Sequence, residues 1–531
     1  MPHVETPQSR CGLGVARCEI TPPVGIYHRM WGAATHERAS GIHRPLLATV
    51  VVFRPIADAA QRRGNSAPLS AERDERVWPG QQRREAPAPE FSTSGESDRR
   101  SVAGGEHAGD TAQILIAVDH CLLFGREMEA LLDSVARQAQ VPRERLLVVF
   151  SHTHAAGLMD GDRAQRSGGE LIGPYLETLA TKLAGIVDQA RARVAPATIV
   201  FGTGRCTMAA HRDFRDEASG QFVCGFNPQG SADDTVLVAR ATDEAGKVLA
   251  TFVNYACHPT TLAWENRLIS PDFPGAMREV VEQALPAPCI FLQGASGDLG
   301  PREGFSGEPS LADRNGRQLA YAALSALESL PPAGTRFEYV GPIVSGATLG
   351  VWKHQPLPAE RIAATELWRL DRWTVRLPYR PELPTRDAIT QALQKFEAAQ
   401  KRAETTGDEA MARDAHAMIE RMNRQLTRLA ALPAGPEIPL PVWLWQIGDA
   451  FWLAVEAEHY QRLQRALRER FPGRPIVVMT LANGSRPSYL PIADVYETGV
   501  YPETIAVVAR GSLEQLIEAI GTRIASWDAD A

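Results

Sequence analysis

Apolar and polar positions follow two rhythms along this chain. Short runs rich in Val, Ile and Leu read as strands covered on both faces: Leu46 to Phe53, Ile114 to Val118, Leu146 to Phe150, Val248 to Tyr255, Cys289 to Leu292, Ala450 to Val455 and Ile476 to Leu481. Helical stripes fall between them, from about Arg126 to Gln140 with Pro142 closing it, from about Gly275 to Leu285, and in a segment ending near Arg470. Strand, helix and strand in succession make a βαβ unit. The fold class this predicts is α/β, with mixed sheets flanked by helices in one large catalytic domain spanning residues 1–531.

Two stretches break the rhythm. From Ala59 to Ala112, Arg alternates with acids, Gly, Ser and Pro and large apolar residues nearly vanish, so 59–112 reads as a disordered insertion dispensable for chemistry. Between 384 and 432, Ile389, Leu393 and Phe396 share one helical stripe and Met411, Ala415, Met418, Met422, Leu426 and Leu429 another, with Thr405-Thr-Gly-Asp408 as the turn. This predicts an inserted αα-hairpin whose methionines pack against the body.

Composition narrows the function. The 531 residues are 44% hydrophobic and 22% charged, as in ordinary globular proteins, and a net charge of −7 supplies no field for a phosphate backbone, so nucleic acid is not an expected partner. No run approaches the ~20 apolar residues that span a bilayer, and Met1 to Gly14 holds no signal-peptide core, so a cytoplasmic protein is expected. The seven Cys are scattered with no C-x-x-C pair, which argues against a disulfide framework or a thiolate zinc cluster. A metal here would be held by His and carboxylates.

Polar clusters follow the strand ends, where open α/β sheets place their ligands. His152-Thr-His154 comes first; in an extended segment, residues two apart face the same way, so both imidazoles could address one metal. His258 follows the strand ending at Tyr255 in the equivalent place. Two His need a carboxylate, and Glu458 is the best-placed candidate, with Glu456 its competitor. Tyr489 could complete the shell or donate to developing negative charge. The loop Gly294-Ala-Ser-Gly-Asp298 lacks the lysine of a phosphate loop and the Ser elbow of a hydrolase, and reads as a tight turn whose Asp298 orients a group at the site. Cys257 reads as a buried thiol.

Taken together these motifs resemble the neutral/alkaline ceramidase family. Gly14-Val-Ala-Arg-Cys-Glu-Ile-Thr-Pro-Pro-Val-Gly25, Gly41-Ile-His-Arg-Pro-Leu46, Ser151-His-Thr-His154, Asn254-Tyr-Ala-Cys-His-Pro-Thr260, Ser270-Pro-Asp-Phe-Pro-Gly275, Gln293-Gly-Ala-Ser-Gly-Asp298, Ile447-Gly-Asp and Leu481-Ala-Asn-Gly484 follow in the family's order. The resemblance implies a zinc amidase with His152, His258, Glu458 and Tyr489 on the metal, His154 as proton shuttle beside them, and Arg212 in contact with substrate. The chain departs from the family at three points. Glu456-Ala-Glu458 replaces Pro-Gly-Glu, Gly300 stands where the family has Ser in Gly-Asp-x-Ser-Pro, and the loop before Tyr489 is one residue longer. Neither the family's carboxy-terminal immunoglobulin-like domain nor its secretion signal is expected here, so the substrate need not be ceramide.

The expected activity is zinc-dependent hydrolysis of the amide bond of a small or lipid-like N-acylated molecule, with Zn2+ as the cofactor. His154, Tyr489 or Arg212 would stabilise the oxyanion, and His154 or Glu456 would pass the proton to the leaving amine. Two rivals remain at this level: an esterase or lactonase on the same metal site, and a degenerate, non-catalytic metabolite binder.

Overall fold

Alternate residues of each strand enter two different cores, and this places every layer of the protein. A computed structural model describes residues 2–56 and 111–529. Its main sheet is built from β1 (Gln8–Glu19), β2 (Leu47–Arg54), β3 (Gln113–Val118), β4 (Leu146–Phe150), β5 (Ala195–Arg205), β6 (Thr235–Asp243), β7 (Val248–Tyr255) and β8 (Cys289–Gln293). In space the strands run β8-β7-β6-β5-β1-β2-β3-β4. The two edge pairs, β3 with β4 and β7 with β8, are parallel, and the pairs between them are antiparallel. Helix α1 (Gly125–Gln138) crosses over between β3 and β4, and a second helix, Phe273–Ala284, crosses between β7 and β8. These are two of the βαβ units read from the sequence.

On the outer face, Val50, Val52, Ile114, Ile116 and Val148 meet Met128 and Leu132 of α1 and Leu179, Leu183 and Val187 of α2 (Ile172–Ala192). The strands at the other end of the sheet are covered likewise by α3 (Phe273–Ala284) and α4 (Pro309–Glu328). Val51, Phe53, Leu115 and Val149 point the other way, against a smaller second sheet. The smaller sheet's strands follow, along the chain, β9 (Thr335–Ser345) and β10 (Ala347–Pro356), a hairpin outside both cores. They are β11 (Trp368–Pro378), β12 (Glu437–Ile447), β13 (Ala450–Val455) and, beyond a two-residue β14 (Glu458–His459), β15 (Ile476–Met479), in the order β11-β12-β13-β15. Along β13, Trp452 and Ala454 face the main sheet while Phe451, Leu453 and Val455 face the outer helices. A period of two in a strand buried on both sides explains why these runs are continuously apolar rather than alternating.

Trp452 fills the space between the sheets. It is fully buried, with its ring centroid 5.1 Å from Phe53, 5.3 Å from Phe252 and 6.3 Å from Phe201. Trp452→Ala is expected to cost about 3–5 kcal/mol, read as a lowered chemical-denaturation midpoint. A loss under about 1 kcal/mol would show that the two sheets do not depend on this contact.

The helical hairpin expected between 384 and 432 is present as α5 (Arg386–Thr406) and α6 (Glu409–Ala431). The Thr385 and Asp408 side chains accept from Ala388 and Met411 N–H at the two helix starts, and Gly407 closes α5 at φ +73°. Met422 is buried and Met418 half-buried, but Met411 is 55% exposed. It lies in the first turn of α6, at the far end of the hairpin. Glu420 pins α6 to the body through Arg163 (3.4 Å) and Arg166 (3.5 Å), and Arg424 donates to the Met30 carbonyl. The insertion expected at 59–112 lies, apart from its last two residues, outside the described residues. No helix among the described residues is long and apolar enough to cross a membrane.

Candidate metal centre

The two parallel edges of the main sheet are far apart in strand order but meet in space. Arg17 donates to the Cys289 carbonyl of β8 at 2.7 Å, and Arg278 of α3 pairs with Asp119 just past β3 at 2.9 Å. The sheet therefore curls, and the carboxyl ends of β4 and β7 come together. There His152, His258 and Glu458 converge, all three buried.

Each ligand is aimed by its local backbone. His152 does not sit in an extended segment, as the spacing of the His pair suggests; β4 ends at Phe150, and His152 is left-handed at φ +67°. Its N–H bonds to the His120 carbonyl at 2.9 Å, and its Nδ1 donates to the Cys121 carbonyl at 2.8 Å, which turns Nε2 into the site. His258 Nδ1 donates to the carbonyls of Ser296 (2.7 Å) and Leu299 (3.1 Å), with the same result. Glu458 and Tyr489 are exact register partners across a short parallel ladder between β14 and β16 (Tyr489–Leu490), and Ala457 and Ser488, the residues before them, have φ of +87° and +61°. Non-glycine residues in this region cost on the order of 1–3 kcal/mol each, and three of them hold this one site.

The donor atoms sit where ligands of one cation would sit. Glu458 Oε2 lies 3.2 Å from His152 Nε2 and 2.9 Å from His258 Nε2, and the Tyr489 hydroxyl lies 3.3 Å from His258 Nε2. Tetrahedral ligands about 2 Å from a shared zinc are separated by about 3.3 Å. Because both Nδ1 atoms already donate to carbonyls, the two Nε2 atoms and the carboxylate oxygen turn lone pairs on one another. Such an arrangement needs a cation. A proton on His152 Nε2 meets that need: burial opposes charge on both, yet Cys121 and Glu458 draw a proton onto His152 and lift its pKa well above the usual imidazole value. Glu458 is held well below the usual carboxylate range, against its own burial, by His152 and then His258. Burial, followed by the Arg212 charge, pushes His258 down to about 3.

Arg212 and His154 flank the cluster. The Arg212 guanidinium is buried, donates to the Gly297 carbonyl at 2.7 Å and to the Tyr489 hydroxyl at 3.0 Å, and lies 5.4 Å above the Tyr489 ring. Burial keeps the Tyr489 phenol protonated far up the pH scale, with Arg212 opposing and Glu458 adding to the shift. His154 places its ring 4.9 Å from that of His152 and 5.3 Å from Trp31; its Nε2 is shielded from solvent and has no hydrogen-bond partner. Burial and then the two neighbouring His keep it neutral.

Two sequence candidates stand elsewhere. Glu456 is clamped by Arg486, whose guanidinium approaches to 2.6 Å and whose N–H donates at 2.7 Å. It lines a separate cleft of about 390 Å³, with Arg143, Arg372 and Trp443, that none of the converging residues lines. Asp298 accepts from the Gln461 N–H (2.7 Å) and side chain (2.8 Å), so the loop orients His258 through backbone carbonyls rather than through this carboxylate. Cys257 is a fully buried thiol whose pKa burial pushes well up.

Cys121 and Trp31 were not singled out by the sequence. Cys121 closes the strand-end segment after β3, the parallel neighbour of β4, so the rule applied to the other strand ends would have found it. Trp31 had no such signal. It forms an aromatic wall with Phe305 (5.6 Å) and Trp264 (6.2 Å) beside His154, and α6 braces it where Ala417 packs on Gly32.

No protein-family profile and no curated protein sequence matches the chain. Solved structures do. The neutral ceramidase from Pseudomonas aeruginosa matches with a TM-score of 0.57 and 16% identity over 98% of this chain and 74% of that one. A structure described as a ceramidase complexed with C2 matches with a TM-score of 0.59 and 14% identity over 97% and 74%. The chain thus shares a ceramidase-like fold.

Proposed function

We propose that this protein is a zinc-dependent hydrolase that cleaves the amide bond of an N-acylated small molecule. The observation that carries the reading is the convergence of two imidazole Nε2 atoms and one carboxylate oxygen, each His fixed in the Nδ1–H tautomer by backbone carbonyls. The donor set fits zinc, which takes neutral imidazole, carboxylate and a fourth oxygen. When bound, zinc lowers the pKa of a coordinated water to about 7 and polarises a carbonyl oxygen.

The rest of the chemistry belongs to the chain. Arg212 and Tyr489 present donors on one side of the cluster, where charge develops on a carbonyl oxygen as it becomes tetrahedral. His154, with an unengaged Nε2 beside the cluster, takes the proton from the attacking water and returns it to the leaving amine. Glu456, locked on Arg486, is not placed for this step. The aromatic wall of Trp31, Trp264 and Phe305 offers an apolar surface to the acyl group and excludes water. Glu458 faces both His and the Tyr489 hydroxyl faces His258, which supports the enzyme over the degenerate binder.

Two measurements test the proposal together. Purified protein is expected to carry zinc at one per chain by elemental analysis, and to lose hydrolysis on chelation and regain it with zinc. Paired N-acyl and O-acyl substrates with the same acyl group are expected to show a higher kcat/KM for the amide. Persistence of hydrolysis in the metal-stripped protein, or in His258→Ala, would overturn the metal role; a preference for the ester would replace amidase by esterase.

A further inference from the structure

Glu456 stands two residues before Glu458, and Arg486 three before Tyr489. The two bind each other through more than an ion pair. Glu456 Oε1 accepts from the Arg486 backbone N–H at 2.7 Å and from its Nε at 2.9 Å, and Oε2 accepts from Nη2 at 2.6 Å. The carboxylate therefore grips main chain as well as a side-chain tip. Glu456 is buried, and it packs so closely on Gly484 that a Cβ there would meet Oε1 at 2.9 Å.

The loop held in this way is strained. Leu481, Asn483 and Ser488 have φ of +59°, +53° and +61°, and Ala457 opposite them is at +87°. Such angles persist at non-glycine residues only where the surroundings over-determine them. One end of the loop is fixed on β4, where the Asn483 side chain accepts from the Val148 N–H at 2.7 Å and donates to the Leu146 carbonyl at 2.9 Å. The other end is the β14–β16 ladder, in which the Glu458 N–H donates to the Ser488 carbonyl at 2.9 Å and the Tyr460 N–H to that of Leu490 at 3.1 Å. Between them, Glu456 and Arg486 tie the loop to the segment that carries Glu458. A buried ion pair adds little net stability, because desolvation offsets its attraction, and its best use is to fix register.

We propose that Glu456 and Arg486 are a positioning pair, which holds Ala457 left-handed and the short ladder in register. In doing so they aim the Glu458 carboxylate at the two imidazoles and keep the Tyr489 hydroxyl beside Arg212. The consequence for zinc rests on the proposed metal centre. Without the charge on Glu456, Ala457 relaxes toward the ordinary backbone of an L-residue, and Glu458 turns away from His258.

Glu456→Gln keeps the shape of the side chain and removes its charge. Its zinc dissociation constant, read by competition with a chromophoric chelator, is expected to rise about 10–100-fold, as when a group that orients metal ligands is lost. At saturating zinc, kcat should fall with KM little changed, and the visible band of the cobalt-loaded protein should shift. In the metal-free protein, amide hydrogen exchange at Glu458 and Tyr460 should quicken. Adding Ala457→Gly should recover much of the zinc affinity, because glycine takes φ +87° without penalty. Arg486→Lys, which keeps the charge and loses the fork, should shift every readout the same way by less. A pair that only stabilised the fold would lower the melting temperature and leave zinc affinity and the cobalt band unmoved, and that result in both variants overturns the proposal. Wild type that takes up neither metal overturns the metal centre instead, and amide exchange then decides: unchanged rates at 458 and 460 overturn the positioning pair, and quickened rates uphold it.

Discussion

Glu458→Gln is expected to abolish zinc binding and lower kcat/KM by on the order of a thousandfold, about 4 kcal/mol of transition-state stabilisation. A single oxygen of this carboxylate faces both imidazole Nε2 atoms, at 3.2 and 2.9 Å. An amide has nearly the same shape but supplies no charge, and its NH2 end can donate to an imidazole lone pair. The metal-free variant loses the charge that pairs with protonated His152 and should melt somewhat lower than metal-free wild type. Wild type gains about 4 kcal/mol when zinc is present at a thousand times its dissociation constant, and the variant gains nothing. Elemental analysis and paired melting curves with and without zinc read both effects. If the variant retains zinc and activity, Glu458 is not a ligand.

Arg212→Gln is expected to lower kcat by about a hundredfold or more while zinc content stays at the wild-type level. One guanidinium nitrogen, Nη2, donates to both the Gly297 carbonyl and the Tyr489 hydroxyl, and a shorter neutral amide neither reaches that position nor carries the charge. Arg212→Lys should recover only part of the loss, because a strongly hydrated ammonium on a flexible stem is less well held in place than the planar guanidinium. Tyr489→Phe combined with Arg212→Gln should cost little more than the worse single change, since the two act through one contact. Strictly additive losses would show that they act independently, and a loss of zinc in Arg212→Gln would make the residue a support for the metal rather than a donor to substrate.

The fate of Glu456 and Glu458 shows where sequence reasoning stops. Both follow β13, two residues apart, and the pattern ranks Glu458 first without excluding Glu456. The choice is made by Ala457, whose left-handed backbone sends one carboxylate toward His258 and the other toward Arg486. A positive φ at alanine has no sequence signature. His152 gives the same lesson in reverse: the His pair was recognised for a geometry it does not adopt, and it reaches the site because the chain turns left-handed after β4. The Met30–Gly32 segment had no pattern of its own, and its place beside His154 depends on contacts with α6, hundreds of residues away.

What the chain determines by itself is local. Continuous apolar runs separated by amphipathic stripes specify strands buried on both faces and the helices that cross between them, since period and burial are properties of a few neighbouring residues. The same rule puts His152, His258, Glu458 and Tyr489 at strand ends. That those ends meet was decided only by tertiary structure. The eight-stranded sheet had to curl until its two parallel edges touched, and the second sheet had to pack across its inner face through Trp452, bringing β14 and β16 between them. Long-range packing of two cores fixes that closure, and no window of sequence contains it.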